Sequence, residues 1–224
     1  MSQLRALLCL LPLALTAREP AGIHRVRVGA LEITALLDGE VKLAPSLLKG
    51  IEAADAEKLL GGQAGVPTSV NAFLVRIGQH LVLVDSGKGS PRTALPERLK
   101  AAGVSPESIE AVLLTHLHGD HVGGLITAEG RRAFPHAVLR LAQAEHDHWM
   151  KGAFPEAYGP MIAQLKAALA PYQAAGAYRP FAPGEAPFPG VRAIATPGHT
   201  PGHTVYAFGE GAHAFWAIGD LVHF

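Results

Sequence analysis

Residues 115–124 read Thr-His-Leu-His-Gly-Asp-His-Val-Gly-Gly. They directly follow the uninterrupted apolar run 111–114, which is typical of a central strand buried on both faces. Side chains two positions apart in an extended segment point the same way, so His116 and His118 would face one side of the chain beyond the strand. The sequence therefore places two imidazoles together at the end of a buried strand.

The same stretch continues with two further groups that can bind a cation. Gly119 lets the backbone turn tightly, so Asp120 and His121 can approach a point next to the one that His116 and His118 face. Three imidazoles and one carboxylate within six residues predict a site for a divalent metal ion. The alternative is a hydrogen-bonded polar loop, which would leave several imidazoles at a buried strand end short of partners, at a cost in free energy.

Two later segments also place functional groups after apolar runs. Residues 196–203 read Thr-Pro-Gly-His-Thr-Pro-Gly-His, a turn with His199 at its apex. His199 is therefore the better ligand candidate, whereas His203 begins the next strand and is expected to support a ligand by hydrogen bonding. The third segment, Gly219-Asp220, offers a carboxylate that could bridge two metal ions.

Hydrophobic patterning predicts the regular elements around these segments. Helices are expected at residues 52–60, 95–102, 142–150 and 161–169. Strands are expected at residues 23–28, 31–37, 70–77, 81–84, 111–114, 138–141, 191–195, 204–208 and 214–218. Strands at both ends of the chain with helices between them favour two sheets packed face to face, with helices outside.

Together, the three histidine- and aspartate-bearing segments resemble the motifs of the metallo-β-lactamase fold superfamily. The stretch 115–121 is similar to its His-x-His-x-Asp-His signature, and the Thr-Pro-Gly-His and Gly-Asp segments follow in the same order. The resemblance implies an α/β (α+β) fold, the αββα sandwich, with two mixed β-sheets face to face and helices on the outer faces. It covers one domain, residues 23–224.

The same resemblance implies two divalent metal ions at one edge of the sandwich, zinc in the first instance, with manganese, iron or cobalt as alternatives. The implied ligands are His116, His118 and His199 for one ion, Asp120 and His121 for the second, and Asp220 as the bridge. Asp120 would also orient the attacking hydroxide. Asp85, in Val-Asp-Ser-Gly 84–87, would support the ligands from behind; a plain turn cap is the alternative.

Within the superfamily, residues 66–73 and 219–223 resemble the branch that contains methyl parathion hydrolase and related lactonases. One departure concerns a seventh family ligand, a histidine beyond a further αβ unit, which has no counterpart. His223 lies too close to Asp220 in sequence to be assumed equivalent. We therefore expect the last αβ unit to be missing from this sequence, as in a fragment or a shortened gene model.

The implied reaction is attack by a hydroxide, held between the two metal ions, on an ester, lactone or phosphotriester. The alternatives left open are a β-lactam or thioester hydrolase, an iron-dependent oxidoreductase of the same fold, and a non-catalytic metal-binding fragment. Specificity would come from loops whose sequences carry no recognisable pattern.

The composition favours a small-molecule substrate. The 224 residues carry 19 basic and 19 acidic side chains, and no basic run offers a binding surface to a phosphate backbone. We therefore expect no nucleic-acid partner. The length suits a single domain, and the sequence leaves the oligomeric state open.

The N-terminus predicts a signal peptide at residues 1–17. Arg5 precedes an almost unbroken apolar run, 6–17, which is too short to span a bilayer. We therefore expect an exported protein, periplasmic or secreted, that has no membrane contact after cleavage; the alternative is a cytoplasmic protein with an apolar N-terminal helix. Cleavage would remove Cys9, the single cysteine, so neither a disulfide nor a catalytic thiol is expected.

Overall fold

The computed structural model describes residues 19–47, 50–63 and 65–223. The predicted signal peptide, with Cys9, lies outside the described residues, so export stays a prediction. Within the described residues, no helix combines the length and the apolar character that crossing a membrane requires.

A six-stranded mixed sheet forms the centre of the molecule. Its strands lie side by side in sequence order: β1 (Ile23–Val28), β2 (Leu31–Leu43), β3 (Val66–Ile77), β4 (His80–Val84), β5 (Ala111–Leu113) and β6 (Val138–Arg140). Neighbours from β1 to β4 are antiparallel, whereas β4, β5 and β6 are parallel. Because parallel strands end on the same side, the carboxyl ends of β4 and β5 reach one edge of the sheet.

The second sheet consists of β7 (Val191–Ala195), β8 (Thr204–Phe208) and β9 (Phe215–Ala217), all antiparallel. The expectation of two mixed sheets therefore holds for the larger one only, because short connections reverse the chain between β7, β8 and β9. The helices are α1 (Ala53–Leu59), α2 (Leu95–Ala102), α3 (Gly119–Val122), α4 (Gln143–Lys151) and α5 (Gly159–Ala174).

One face of β4 and β5 packs on the second sheet, and the other face packs on helices. The core between the sheets contains Val82, Val84, Leu113, Tyr206 and Phe208. The core under the helices contains Leu83, Val112, Leu99, Leu165 and Leu169. Because both faces are buried, these strands are continuous apolar runs, as the sequence predicted. The described residues thus form a helix layer and two sheet layers, which confirms the predicted α+β sandwich.

Three predicted boundaries differ from the observed ones by four residues or more. Strand β2 continues to Leu43 instead of ending at residue 37, and its partner β3 begins at Val66 instead of residue 70. A register shift between Leu37 and Gly39 marks a β-bulge, which interrupts the alternation on which the prediction depended. Helix α5 continues to Ala174, five residues beyond its predicted end at residue 169.

At the bulge, the side chain of Asp38 points into the interior, and only 2% of this residue is exposed. Its carboxylate accepts hydrogen bonds from the Thr93 hydroxyl (2.6 Å) and from the backbone N–H groups of Lys88 (2.6 Å), Ala94 (2.7 Å) and Leu95 (2.8 Å). Helix α2 receives no cap from the side chain of its own N-cap residue, Ala94. Asp38 therefore caps α2 from a distant strand and ties β2 to the loop that leaves β4.

Replacing Asp38 should destabilise the fold. We expect Asp38→Ala to lower the free energy of unfolding by about 3 kcal/mol or more, because several buried donors lose their acceptor at once. Urea denaturation followed by circular dichroism measures the change. The matched variant Asp55→Ala, at an exposed position in the first turn of α1, should cost less than about 1 kcal/mol. Equal losses in the two variants would contradict the role given to Asp38.

Candidate metal centre

The three histidine- and aspartate-bearing segments meet at one edge of the two sheets. The stretch 115–121 follows β5, His199 lies in the connection from β7 to β8, and Asp220 follows β9. A hydrogen bond from the backbone N–H of Thr204 to the carbonyl oxygen of Thr115 (2.9 Å) joins the start of β8 to the end of β5. The strand ends that carry the candidate ligands are therefore held together by the backbone itself.

His116, His118 and His199 form the first cluster, in which one ring nitrogen of each residue lies within 4.8 Å of the other two. The Nδ1 atom of His118 and the Nε2 atom of His199 are 2.9 Å apart. His118 comes from the loop after β5, whereas His199 comes from the second sheet 81 residues later. Three imidazole nitrogens that converge on one point match the donor set of a divalent metal ion.

His116, His121 and Asp220 form a second cluster, in which one ligand atom of each residue again lies within 4.8 Å of the other two. The Nε2 atom of His121 lies 3.1 Å from Asp220 Oδ1. The other carboxylate oxygen, Oδ2, lies 3.2 Å from His199 Nε2 and 3.9 Å from His116 Nε2. Asp220 thus directs one oxygen toward each group of imidazoles, which is the arrangement a bridging carboxylate needs.

Asp120 lies farther out than the other predicted ligands. Its side chain is 37% exposed, and its Oδ2 atom is 4.0 Å from His121 Nε2. It belongs to none of the three-residue clusters found in the described part of the chain. Of the six predicted ligands, the structure brings five together and leaves Asp120 on the wall of the adjoining cavity.

The hydrogen bonds around His116 determine where its proton sits. The Thr115 hydroxyl donates its proton to Asp85 Oδ2 (2.8 Å). The hydroxyl oxygen of Thr115 can therefore only accept from His116 Nδ1, which is 3.1 Å away. His116 therefore carries its proton on Nδ1 and presents the lone pair of Nε2 to the site. Within residues 19–47, 50–63 and 65–223, this Nε2 is the one buried side-chain nitrogen or oxygen without a hydrogen-bond partner.

The unpartnered Nε2 atom of His116 allows a test of whether the site fits a metal ion. A buried acceptor without a partner loses its hydration without compensation, and here it also faces the carboxylate of Asp220. A divalent cation between these groups would satisfy the lone pair and offset the repulsion. The residues therefore fit a metal ion, and the unpartnered Nε2 of His116 is hard to explain otherwise.

Burial keeps the first cluster neutral. Burial and the neighbouring imidazoles lower the pKa of His116 far below its usual range. Burial, followed by the imidazole of His199, lowers the pKa of His118 to about 4. Burial also lowers the pKa of His199. Neutral imidazoles are the form that binds metal ions, so these side chains need to lose no proton near pH 7.

His121 lies between two carboxylates. Burial alone would lower its pKa, but Asp85 and Asp220 together raise the pKa well above the ordinary value. For Asp220, burial works in the opposite direction, and the hydrogen bond to His121 and the nearby imidazoles lower its pKa below the usual range. The Nε2 proton of His121 thus occupies a position that a cation would take on binding.

Asp85 supports the site from the end of β4. Only 4% of the residue is exposed, and its backbone has a φ of 59°, in the left-handed region. Its carboxylate accepts from the backbone N–H and the hydroxyl of Thr115 and contacts His121 Nδ1, each at 2.8 Å. These contacts hold the ring of His121 with Nε2 toward Asp220, as expected of a residue behind the ligands and beyond what a turn cap requires.

His203 uses both ring nitrogens for hydrogen bonds. Its Nε2 atom accepts from the backbone N–H of Asp220 (3.1 Å), so the proton is on Nδ1, which contacts the Thr196 hydroxyl (2.8 Å). It belongs to no metal-binding cluster in the described residues. His203 therefore positions the backbone of Asp220.

Two residues at the site were not predicted from the sequence. His223 Nε2 lies 3.0 Å from Asp220 Oδ2, and His199, Asp220 and His223 form a third cluster. The i, i+3 spacing in a short helical turn, 219–221, brings His223 back to Asp220, and this turn could not be read from the sequence. Glu145 is fully buried beside the first cluster; its only signal was an acidic residue four positions before Trp149.

A cavity of about 1070 Å³ opens beside the clusters. His118, His121, His199, Asp220 and His223 lie at its base. Its outer walls are largely apolar and include Leu43, Leu47, Phe73, Trp216, Ile218 and Val222. Several of these side chains are exposed, among them Leu47 at 65% and Val222 at 58%. The polar base and apolar walls suit a molecule with one reactive polar group and an apolar arm.

Gly202 brings the His199 segment against α4. A Cβ atom at this position would lie 2.1 Å from the backbone nitrogen of Glu145, whereas a Cβ at Gly198 would meet nothing within 4 Å. Neither glycine has a positive φ. Of the two glycines in the repeated Thr-Pro-Gly-His sequence, Gly202 is therefore required for close packing on α4, whereas Gly198 is not.

This difference predicts unequal effects of the same substitution. Gly202→Ala should lower the free energy of unfolding by about 1–3 kcal/mol, because the added methyl group forces the segment away from α4. Gly198→Ala should change it by less than about 0.5 kcal/mol. Urea denaturation of the two variants measures both, and a Gly202→Ala protein as stable as Gly198→Ala would refute the close packing.

The fold and the clusters together define an α+β sandwich with a histidine- and aspartate-rich centre at the edge of its sheets. The chain belongs to the metallo-beta-lactamase superfamily, whose family model matches residues 65–223. This confirms the resemblance derived from the three segments.

Two solved structures are similar over most of the chain. The hydrolase AbOPH of the beta lactamase superfamily has a TM-score of 0.83 and 36% identity, over 92% of this chain and 76% of that one. AidC, a dizinc quorum-quenching lactonase in complex with the product N-hexanoyl-L-homoserine, has a TM-score of 0.81 and 26% identity, over 90% of this chain and 75% of that one.

Curated relatives match over shorter stretches. Hydroxyacylglutathione hydrolase of Acidiphilium cryptum is 35% identical over 143 residues, which are 64% of this chain and 46% of the relative. Ribonuclease Z of Mycobacterium sp. (strain KMS) is 43% identical over 70 residues, 30% of this chain and 23% of the relative. The chain thus matches less than half the length of either relative.

Proposed function

We propose that this protein is a hydrolase that uses two divalent cations, zinc in the first instance, to cleave a small ester, lactone or phosphotriester with an apolar arm. The observation that carries the proposal is the buried, unpartnered Nε2 of His116 beside the Asp220 carboxylate. A cation is the group that best satisfies both.

In this proposal, the clustered residues and Asp120 share two cations. His116, His118 and His199 would hold the first, His121 and Asp120 would serve the second, and Asp220 would serve both. His223, 3.0 Å from Asp220, is a further candidate ligand on the Asp220 side. Small movements of Asp120 from the cavity wall would complete its contact with the second cation, since its carboxylate is 4.0 Å from His121 Nε2.

When bound, the cations would lower the pKa of water toward neutrality and polarise the oxygen of the attacked group. The protein's own groups do the positioning. Asp120 borders the cavity with an exposed carboxylate, so it can orient a water molecule toward the substrate and accept its proton. Asp85 and His203 hold His121 and Asp220 in place, so the polar base of the cavity stays fixed while substrate enters.

The substrate class is inferred from the cavity and from two similar structures. The apolar walls favour an acyl or alkyl arm, and the AidC structure contains N-hexanoyl-L-homoserine, a product with such an arm. A thioester is the second candidate, supported by the similarity to hydroxyacylglutathione hydrolase over 64% of the chain. We retain a small-molecule substrate over nucleic acid because the basic and acidic side chains balance at 19 each.

Replacing His116 tests metal binding at the first cluster. We expect His116→Ala to lose at least one of two zinc equivalents in elemental analysis, and its turnover should fall by about a hundredfold or more. His24→Ala, at a surface histidine whose side chain is 77% exposed, should keep the parental metal content. Turnover is measured with a lactone, a phosphotriester, a thioester and a β-lactam. A parent protein without stoichiometric transition metal would overturn the proposal.

Shortening an apolar wall should affect long substrates selectively. Leu47→Ala removes part of the cavity wall, so KM for a long-chain acyl ester or lactone should rise about three- to tenfold, with little change for a short-chain one. Leu59→Ala makes the same change at a residue that is 79% exposed and outside the cavity lining, and it should leave both KM values unchanged. Equal effects on long and short substrates would argue against an apolar arm in this cavity.

A further inference from the structure

Glu145, the third residue of α4, is a completely buried carboxylate with four hydrogen-bond donors. Its Oε1 atom accepts from the backbone N–H of Leu117 (2.9 Å) and from the Trp149 indole N–H (2.7 Å). Its Oε2 atom accepts from the Thr200 hydroxyl (2.7 Å) and from the backbone N–H of Gly202 (3.0 Å). A buried carboxylate is costly unless donors surround it, and here both oxygens are fully used.

Three of the four donors belong to the two segments that supply the first cluster, and the fourth, Trp149, lies on α4 itself. Leu117 lies between His116 and His118 in the loop after β5, and Thr200 directly follows His199. The two segments are distant in sequence, and a single carboxylate connects them, with one oxygen for each. Gly202 adds to this connection, since its missing Cβ lets the His199 segment touch the backbone of Glu145.

We propose that Glu145 is a positioning residue that sets the separation between His199 and the His116–His118 pair, and thereby the affinity for the first cation. This inference rests on the proposed function, because it assigns Glu145 to the cation of that site. Among the described residues, Glu145 has no hydrogen bond to a candidate ligand nitrogen and does not line the cavity; it acts through the backbone of Leu117 and through Thr200.

Glu145→Gln tests the two halves of this connection unequally. With the amide oxygen toward Leu117 and Trp149, one NH₂ group faces the Thr200 hydroxyl, which can rotate to accept, and the Gly202 N–H, which cannot. The reverse orientation would set the NH₂ group against two N–H donors. The amide therefore keeps its hydrogen bond to the loop after β5. It loses a hydrogen bond to the His199 segment, which is then held less firmly.

The experiment uses metal-free full-length protein titrated with cobalt(II), with a competing chelator to measure affinity and absorption spectra to report the ligand field. We expect Glu145→Gln to weaken the first cobalt site about tenfold or more and to change its spectrum. Thr200→Val removes one donor to Oε2 and should act in the same direction with a smaller effect. Glu97→Gln, at an exposed position in α2, should behave like the parent.

Three outcomes decide the matter. Parental cobalt affinity and spectrum in both Glu145→Gln and Thr200→Val would overturn the inference, as would a lower melting temperature of the metal-free protein with unchanged affinity. Should Glu145→Gln not fold, Thr200→Val alone decides by the same two measurements. A parent protein that binds no cobalt would instead overturn the proposed function, and this inference with it.

Discussion

The hydrogen bond from the Thr115 hydroxyl to Asp85 determines the character of the whole site. It commits the hydroxyl proton to the carboxylate, so His116 keeps its own proton on Nδ1 and turns a lone pair toward Asp220. The same carboxylate holds the ring of His121. Asp85 adopts a left-handed backbone conformation, which costs about 1–3 kcal/mol in a residue other than glycine. The three contacts of its carboxylate offset that strain.

The parts of the site that are local in sequence could be predicted. The run 111–114 is apolar because both faces of β5 are covered, and a loop that leaves such a strand must bring its polar residues to the sheet edge. This reasoning placed His116 and His118 beside each other. The sequence also offered His199 and Asp220 as candidates, and the resemblance to a family then assigned them to the same site, because no local pattern specifies their proximity.

Other features depend on contacts between distant segments and could not be read from the sequence. Asp38 and Glu145 are both buried carboxylates, yet each looks like an ordinary surface residue, since all their donors except Trp149 come from segments at least 28 residues away. The bulge that turns Asp38 inward is also the reason that the predicted end of β2 came too early in the sequence. For Asp120, the motif gives its place in the order of candidate ligands but not its distance from the other candidates.

The origin of the cavity walls bears on how such a protein can diversify. The walls come from the ends of β2, β3 and β9, whereas the imidazoles of the first cluster come from the loops after β5 and β7. The exposed wall residues Leu47 and Val222 can therefore vary in size without moving His116, His118 or His199. Descendants of one ancestral chain could exchange the molecules they admit while inheriting the same histidine- and aspartate-rich centre, so that selectivity and reactivity evolve as separate traits.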